Sequence, residues 1–152
     1  MDVENKVVII TGASAGIGLA AVRLFAARGA RLALVGRSVT ALDQLAHFGR
    51  VDVLINNAGR AFHTSIEQAD AQLFRQLLDL NLVSVLRAMQ CVIPLMRAQG
   101  GGVIINVSSG LSKRITPGVG PYAASKHALN ALTLTARAEL AADNIRVGLV
   151  IP

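Results

Sequence analysis

The 152 residues are 53% hydrophobic and 16% charged, a composition that excludes disorder and supplies one core but not two. Residues 1–152 are therefore expected to form a single domain. Only 3% of the side chains are aromatic and none is Trp, which argues against a base-stacking platform. The formal charge is +6, and 12 of the 15 basic residues are Arg, but Arg23, Arg28, Arg31, Arg37, Arg50, Arg60, Arg75, Arg87 and Arg97 are scattered. A nucleic-acid reader would gather them on one stripe, so the basicity suits a small anionic ligand better.

The start, Met1 to Lys6, is acidic and runs straight into a strand-like segment, unlike a signal peptide. No apolar run approaches the length of a membrane span. A cytoplasmic protein with no membrane partner is expected. Cys91 is the one cysteine, so no intrachain disulfide can form. Its neighbours Met89, Val92 and Ile93 make it read as a small core residue.

Val7 to Ile10 is a β-branched run that suits a strand buried on both faces. A glycine-rich turn follows, Thr11-Gly12-Ala13-Ser14-Ala15-Gly16-Ile17-Gly18, then helical periodicity from Leu19 to Arg28, with Gly29 as C-cap. Arg31 to Val35 is the next strand. This is a βαβ unit whose glycines permit a tight turn and close backbone approach to a phosphate. The helix N-terminus offers free N–H groups and a positive dipole end to a pyrophosphate. Val51 to Ile55 is a further strand, leading into Asn56-Asn57-Ala58-Gly59. A long helical pattern runs from about 71 to 96, with Asn81 in its middle and Pro94 expected to kink or end it. Val103 to Val107 is a strand ending in Ser108-Ser109. Pro121 opens a helical pattern running to about Ala142, and Ile145 to Ile151 is the last strand.

Tyr122 and Lys126 lie four residues apart, hence on one helix face. An ammonium beside a phenol is an arrangement for moving a proton. One cation about 5 Å away, at an effective dielectric of about 20, favours the phenolate by roughly 3 kcal/mol. Alone this pair is a weak signal. A polar Asn81 among Leu80, Leu82 and Val83 is costly without a partner, so it too invites a special role. His47, His63 and His127 lack ligand spacing, and no metal site is expected.

Taken in order, these pieces resemble the short-chain dehydrogenase/reductase family. The turn T-G-x-x-x-G-x-G, the N-N-A-G after a strand, a helical Asn, a strand ending in a serine pair, and Tyr-x-x-x-Lys 13 residues after Ser109 all match, over about Lys6 to Pro152. The resemblance implies a three-layer, doubly wound α/β fold of the Rossmann type. It implies hydride transfer between a nicotinamide cofactor and a carbonyl or secondary alcohol. Asn81, Ser109, Tyr122 and Lys126 would be the catalytic set, with Tyr122 the general acid/base and Asn81 anchoring a water. Gly12, Ser14, Gly16, Ile17, Gly18, Arg37, Asn57, Tyr122 and Lys126 would hold the cofactor, while Asn56 ties strand to strand. At the end of the second strand, Gly36 and Arg37 stand where an acidic residue would favour NAD. Arg37 can grip a 2′-phosphate instead, so NADP is expected over NAD. The family usually dimerises through the helices corresponding to 71–96 and 122–142, so a homo-oligomer is expected.

Two departures from the family pattern stand out. Only 15 residues, Gly36 to Arg50, separate the second strand from the next. That is room for one crossover helix, at about 39–48, and not for the family's third strand. A right-handed crossover would put that helix on the face opposite the first one. After Pro152 the family continues with a substrate-covering segment and a last strand, so a sheet of about five strands is expected, with 145–151 at its edge. Two readings follow: a small NADP-dependent oxidoreductase, or a shortened relative that keeps the site residues, binds cofactor weakly and is inactive.

Overall fold

The computed structural model describes residues 2–36 and 48–152. The expected crossover helix at 39–48, Arg37 and His47 lie outside the described residues, apart from Phe48. Five parallel strands form one sheet: β1 (Val7–Thr11), β2 (Arg31–Val35), β3 (Val53–Asn56), β4 (Gly102–Val107) and β5 (Ile145–Val150), in the order β2-β1-β3-β4-β5. The β-branched runs become central strands because both of their faces are covered. Val7 to Ile10 are all buried.

Helix α1 (Gly16–Ala26) covers one face, where Ala21, Val22 and Phe25 pack on Val8, Ile10, Val53 and Ile55. Gly29, at φ +75, closes it. The Gly29 N–H donates to Ala26 O and the Ala30 N–H to Phe25 O, the paired bonds of a Schellman cap. The opposite face carries α3 (Ser84–Ala98) and α4 (Gly120–Glu139), whose Val85, Met89, Val92, Met96, Leu129 and Ala136 bury Ile9, Leu54, Ile104 and Val147. Phe48 packs on this second face too, the side a right-handed β2–β3 crossover requires.

The helical pattern at 71–96 holds, with one irregularity: α2 (Ala71–Leu78), a π-helical turn (Asp79–Val83) and α3 run on as one rod. Two expectations need correction. Pro94 does not end α3, which runs on to Ala98. Cys91 is exposed, because the stripe Val85, Met89, Val92, Met96 takes the sheet-facing side and leaves Cys91 off it.

The whole rod Ala71–Ala98 is also long and apolar enough, by length and composition, to cross a membrane. The sequence showed no such run because its apolar residues are spaced at helical period rather than contiguous. In the structure its Ser84–Ala98 part lies against the sheet through Val85, Met89, Val92 and Met96, and Asn81 is fully buried.

Candidate functional site

Strands β1, β3 and β4 all end at one rim of the sheet. The chain leaves β1 for β2 on one side and returns to β3 on the other, so a crevice opens between β1 and β3, where open α/β sheets bind ligands. A cleft of about 330 Å³ lies there, lined by residues including Ile17, Asn57, Arg60, Ser109, Tyr122 and Lys126.

The glycine turn forms the first wall. Gly12 has φ +65, and a Cβ on it would stand 2.8 Å from Ala58 Cα. A Cβ on Gly18 would stand 2.2 Å from Gly12 O, so only glycine fits. Gly16, at φ +54, faces open space. Ser14, Gly16 and Ile17 are exposed. The N-cap of α1 is Ala15, with no side-chain cap. The first-turn N–H groups are thus left for a solvent or ligand acceptor.

Asn57 holds this wall in place. Its Nδ2 donates to Thr11 O and Gly12 O, both at 3.1 Å. The N–H groups of Asn57 and Ala58 both donate to Thr11 Oγ1 at 3.0 Å. Its side-chain donors are therefore spent on the turn, although it still lines the cleft. Asn56 ties strand to strand as expected, donating to Asn106 Oδ1 at 2.8 Å.

The second wall joins the end of β4 to the first turns of α4. Lys126 is 5% exposed, and its Nζ donates to Val107 O at 2.9 Å and stands 5.9 Å from the Tyr122 ring centre. Burial holds the Lys126 ammonium below the usual lysine range, because the charged form loses water. The phenol of Tyr122 makes no hydrogen bond among the described residues, and Ser109 Oγ accepts only the Leu111 N–H, at 3.2 Å. Both hydroxyls can therefore donate to a common acceptor. At the end of β2, Gly36 is exposed, with open space at its Cβ position.

Asn81 sits in the π-turn, a distortion often found at functional sites. Its Oδ1 accepts the Arg60 N–H at 3.0 Å, and its Nδ2 donates to Arg60 O at 2.9 Å and Ser125 Oγ at 3.1 Å. Ser125 Oγ donates in turn to Tyr122 O at 2.7 Å. Asn81 thus ties the loop after β3 to α4, and a second lone pair on Oδ1 is the acceptor that remains for a water.

Sequence reasoning missed the supports: Thr11, Ser125, and a network behind Ser109. Ser108 Oγ donates to Asn130 Oδ1 at 2.7 Å, Asn130 Nδ2 donates to Ser112 Oγ at 2.9 Å, and Ser112 Oγ donates to Ser109 O at 2.6 Å. The available signal was Asn130, two helical turns after Tyr122 on the same face. His63 and His127 are exposed, and the His127 ring bonds its own helix at Ala123 O.

A profile of the short chain dehydrogenase family matches residues 6–47 and 39–152, two matches that overlap at 39–47. A 3alpha-hydroxysteroid dehydrogenase of Mediterraneibacter gnavus is 35% identical over 186 positions, which span 100% of this chain and 74% of the relative. Since 152 residues fill 186 positions, at least 34 positions of that relative have no counterpart here. The 3-oxoacyl-[acyl-carrier-protein] reductase FabG of Thermotoga maritima is 35% identical, over 100% of this chain and 75% of its own. Among solved structures, a gluconate 5-dehydrogenase of Burkholderia cenocepacia in complex with NADP and tartrate superposes with a TM-score of 0.90 at 28% identity, over 98% of this chain and 71% of its own.

Proposed function

Because the chain belongs to the short-chain dehydrogenase/reductase family, a group of NAD(P)-dependent oxidoreductases, we propose that it moves a hydride between NADP(H) and a carbonyl or secondary-alcohol substrate. The observation that carries this reading is one cleft in which Ser109, Tyr122 and a buried Lys126, without an Asp or Glu partner among the described residues, meet. The names of the relatives support it, as does the NADP in the gluconate 5-dehydrogenase structure.

The residues present suit a dinucleotide: an uncapped helix N-terminus at a glycine turn for the pyrophosphate, and a buried cation at the other end. Gly12 and Gly18 would let the turn close on itself, the Gly12 N–H already donating to Val35 O; the exposed backbone at Ser14, Gly16 and Ile17 would hold the phosphates through N–H groups, and Arg37 would take the 2′-phosphate. Asn57, Tyr122 and Lys126 flank the nicotinamide end. The cofactor supplies or accepts the hydride. Tyr122 Oη gives its proton to the substrate oxygen, or takes one in the reverse direction. Ser109 Oγ donates a hydrogen bond to that same oxygen and stabilises the charge developing there. Lys126 would keep its ammonium beside the Tyr122 ring, 5.9 Å from the ring centre, and hold the nicotinamide ribose hydroxyls. Asn81 would keep the loop after β3 in register with α4 and anchor a water near Lys126. The outer faces of α3 and α4, where Leu86 and Leu134 are exposed, offer a surface for a homo-oligomer, which sedimentation would detect.

The test is oxidation of NADPH and NADH against ketones and 3-oxoacyl thioesters. Turnover with a lower KM for NADPH, raised by Arg37→Ala, is expected. A lower KM for NADH that ignores Arg37→Ala contradicts the cofactor assignment. A second reading, a chain that keeps the site but binds cofactor weakly, is favoured by the 34 or more missing positions. Millimolar NADPH affinity without turnover would select it.

A further inference from the structure

Arg60 has no part in the mechanism above, yet it lines the same cleft as Ser109 and Tyr122. It follows directly on Asn57-Ala58-Gly59, the loop that leaves β3 at the crevice. Both of its backbone polar atoms are held by Asn81, which is fully buried. Its residue is exposed, and the guanidinium enters no ion pair among the described residues. The described ion pairs lie elsewhere, at Asp52 and Asp143. Among the described residues no Asp or Glu side chain lines the cleft, whereas two cationic side chains, Arg60 and Lys126, do.

The fixed backbone keeps this side chain rooted at the cleft, and a guanidinium loses less freedom per hydrogen bond than an ammonium because its donors are held in one plane. Its planar fork matches a carboxylate bidentately. Two cationic side chains in one cleft also raise the local concentration of anions. We propose that Arg60 makes this cleft select substrates in which the reacting carbonyl or alcohol carbon is joined, through a short carbon chain, to a carboxylate. The inference rests on the hydride-transfer reading and adds the substrate class to it.

The test compares oxo acids with their methyl esters, which keep the carbon skeleton and lose the charge: acetoacetate, levulinate and 2-oxobutanoate against the three esters. The full chain, Arg60→Ala and Arg60→Lys are assayed for NADPH-dependent turnover. The same ligands are titrated by calorimetry in the presence of NADP, and NADPH affinity is read separately by fluorescence. A preference for at least one acid over its ester is expected. It should fall about 10- to 100-fold in Arg60→Ala, the range of one charge-assisted pair, and recover in part in Arg60→Lys. Calorimetry keeps the two readings apart: acid-over-ester binding without turnover supports Arg60 and fails the hydride-transfer reading. Equal handling of all acids and esters overturns the inference. So does an Arg60→Ala change that weakens NADPH and leaves the acid preference intact, which would make Arg60 a cofactor ligand.

Discussion

The two walls of the cleft are built on different principles. The glycine-turn wall offers backbone: no side chain caps α1, Gly16 faces open space, and Gly12 and Gly18 leave no room for a methyl group. The β4–α4 wall offers side chains, several of them fixed by partners, from Lys126 on Val107 O to Asn130 between Ser108 and Ser112, around the phenol of Tyr122, unbonded among the described residues. Binding a phosphate needs unfilled donors and space. Handling a proton needs a few groups held to within fractions of an ångström. The walls should therefore fail differently when substituted: the first by steric clash, the second by loss of geometry or charge.

The largest contrast is expected at Lys126. Lys126→Met should lower kcat by about 100-fold or more, since acid/base assistance is worth about 10² to 10⁴. The same variant should make the cofactor-free protein about 1 kcal/mol more stable in urea, because a buried charge without an acid partner is removed. The wild-type pH dependence gives the matching sign. With Lys126 held below its ordinary 10.5 in the folded state, the unfolded chain binds more protons between the folded value and 10.5. Stability contributed by this residue should rise with pH across that window and stay flat below it. Denaturation midpoints of wild type and Lys126→Met measured against pH would show it as a difference in slope.

Next in size, Gly18→Ala should cost about 3 kcal/mol, because its Cβ meets the Gly12 carbonyl and the neighbour is backbone. Asn130→Ala should cost about 2 kcal/mol by leaving the buried hydroxyls of Ser108 and Ser112 short of a partner. It should also lower kcat more than it raises KM, since Ser109 loses its support. Gly16→Ala meets nothing and suffers only its positive φ, about 1 kcal/mol. Thermal or urea denaturation ranks all three. A Gly16→Ala variant as damaged as Gly18→Ala would break the steric account of the first wall.

The same division explains what was legible in the sequence. The glycine spacing, the serine pair and the Tyr-x-x-x-Lys step are local patterns, and they gave the strands, the turn and the resemblance directly. The parallel order could be anticipated because βαβ handedness leaves few alternatives, and Phe48 duly packs opposite α1. The supports were not legible. Thr11 to Asn57, Asn81 to Arg60 and Ser108 to Asn130 are bonds between residues 46, 21 and 22 positions apart, with no periodic signature. The π-turn escaped for a related reason: one extra residue in a helical ring leaves the apolar pattern nearly intact. Cys91 misled because apolar sequence neighbours do not share its helix face.

The most direct measurement is a single-turnover comparison of wild type and Tyr122→Phe, with NADPH affinity determined for both by fluorescence. Loss of the phenolic proton should slow ketone reduction by at least about 100-fold while NADPH affinity moves by no more than a few-fold. Wild-type turnover that survives Tyr122→Phe unchanged would contradict the assignment of the proton to Tyr122.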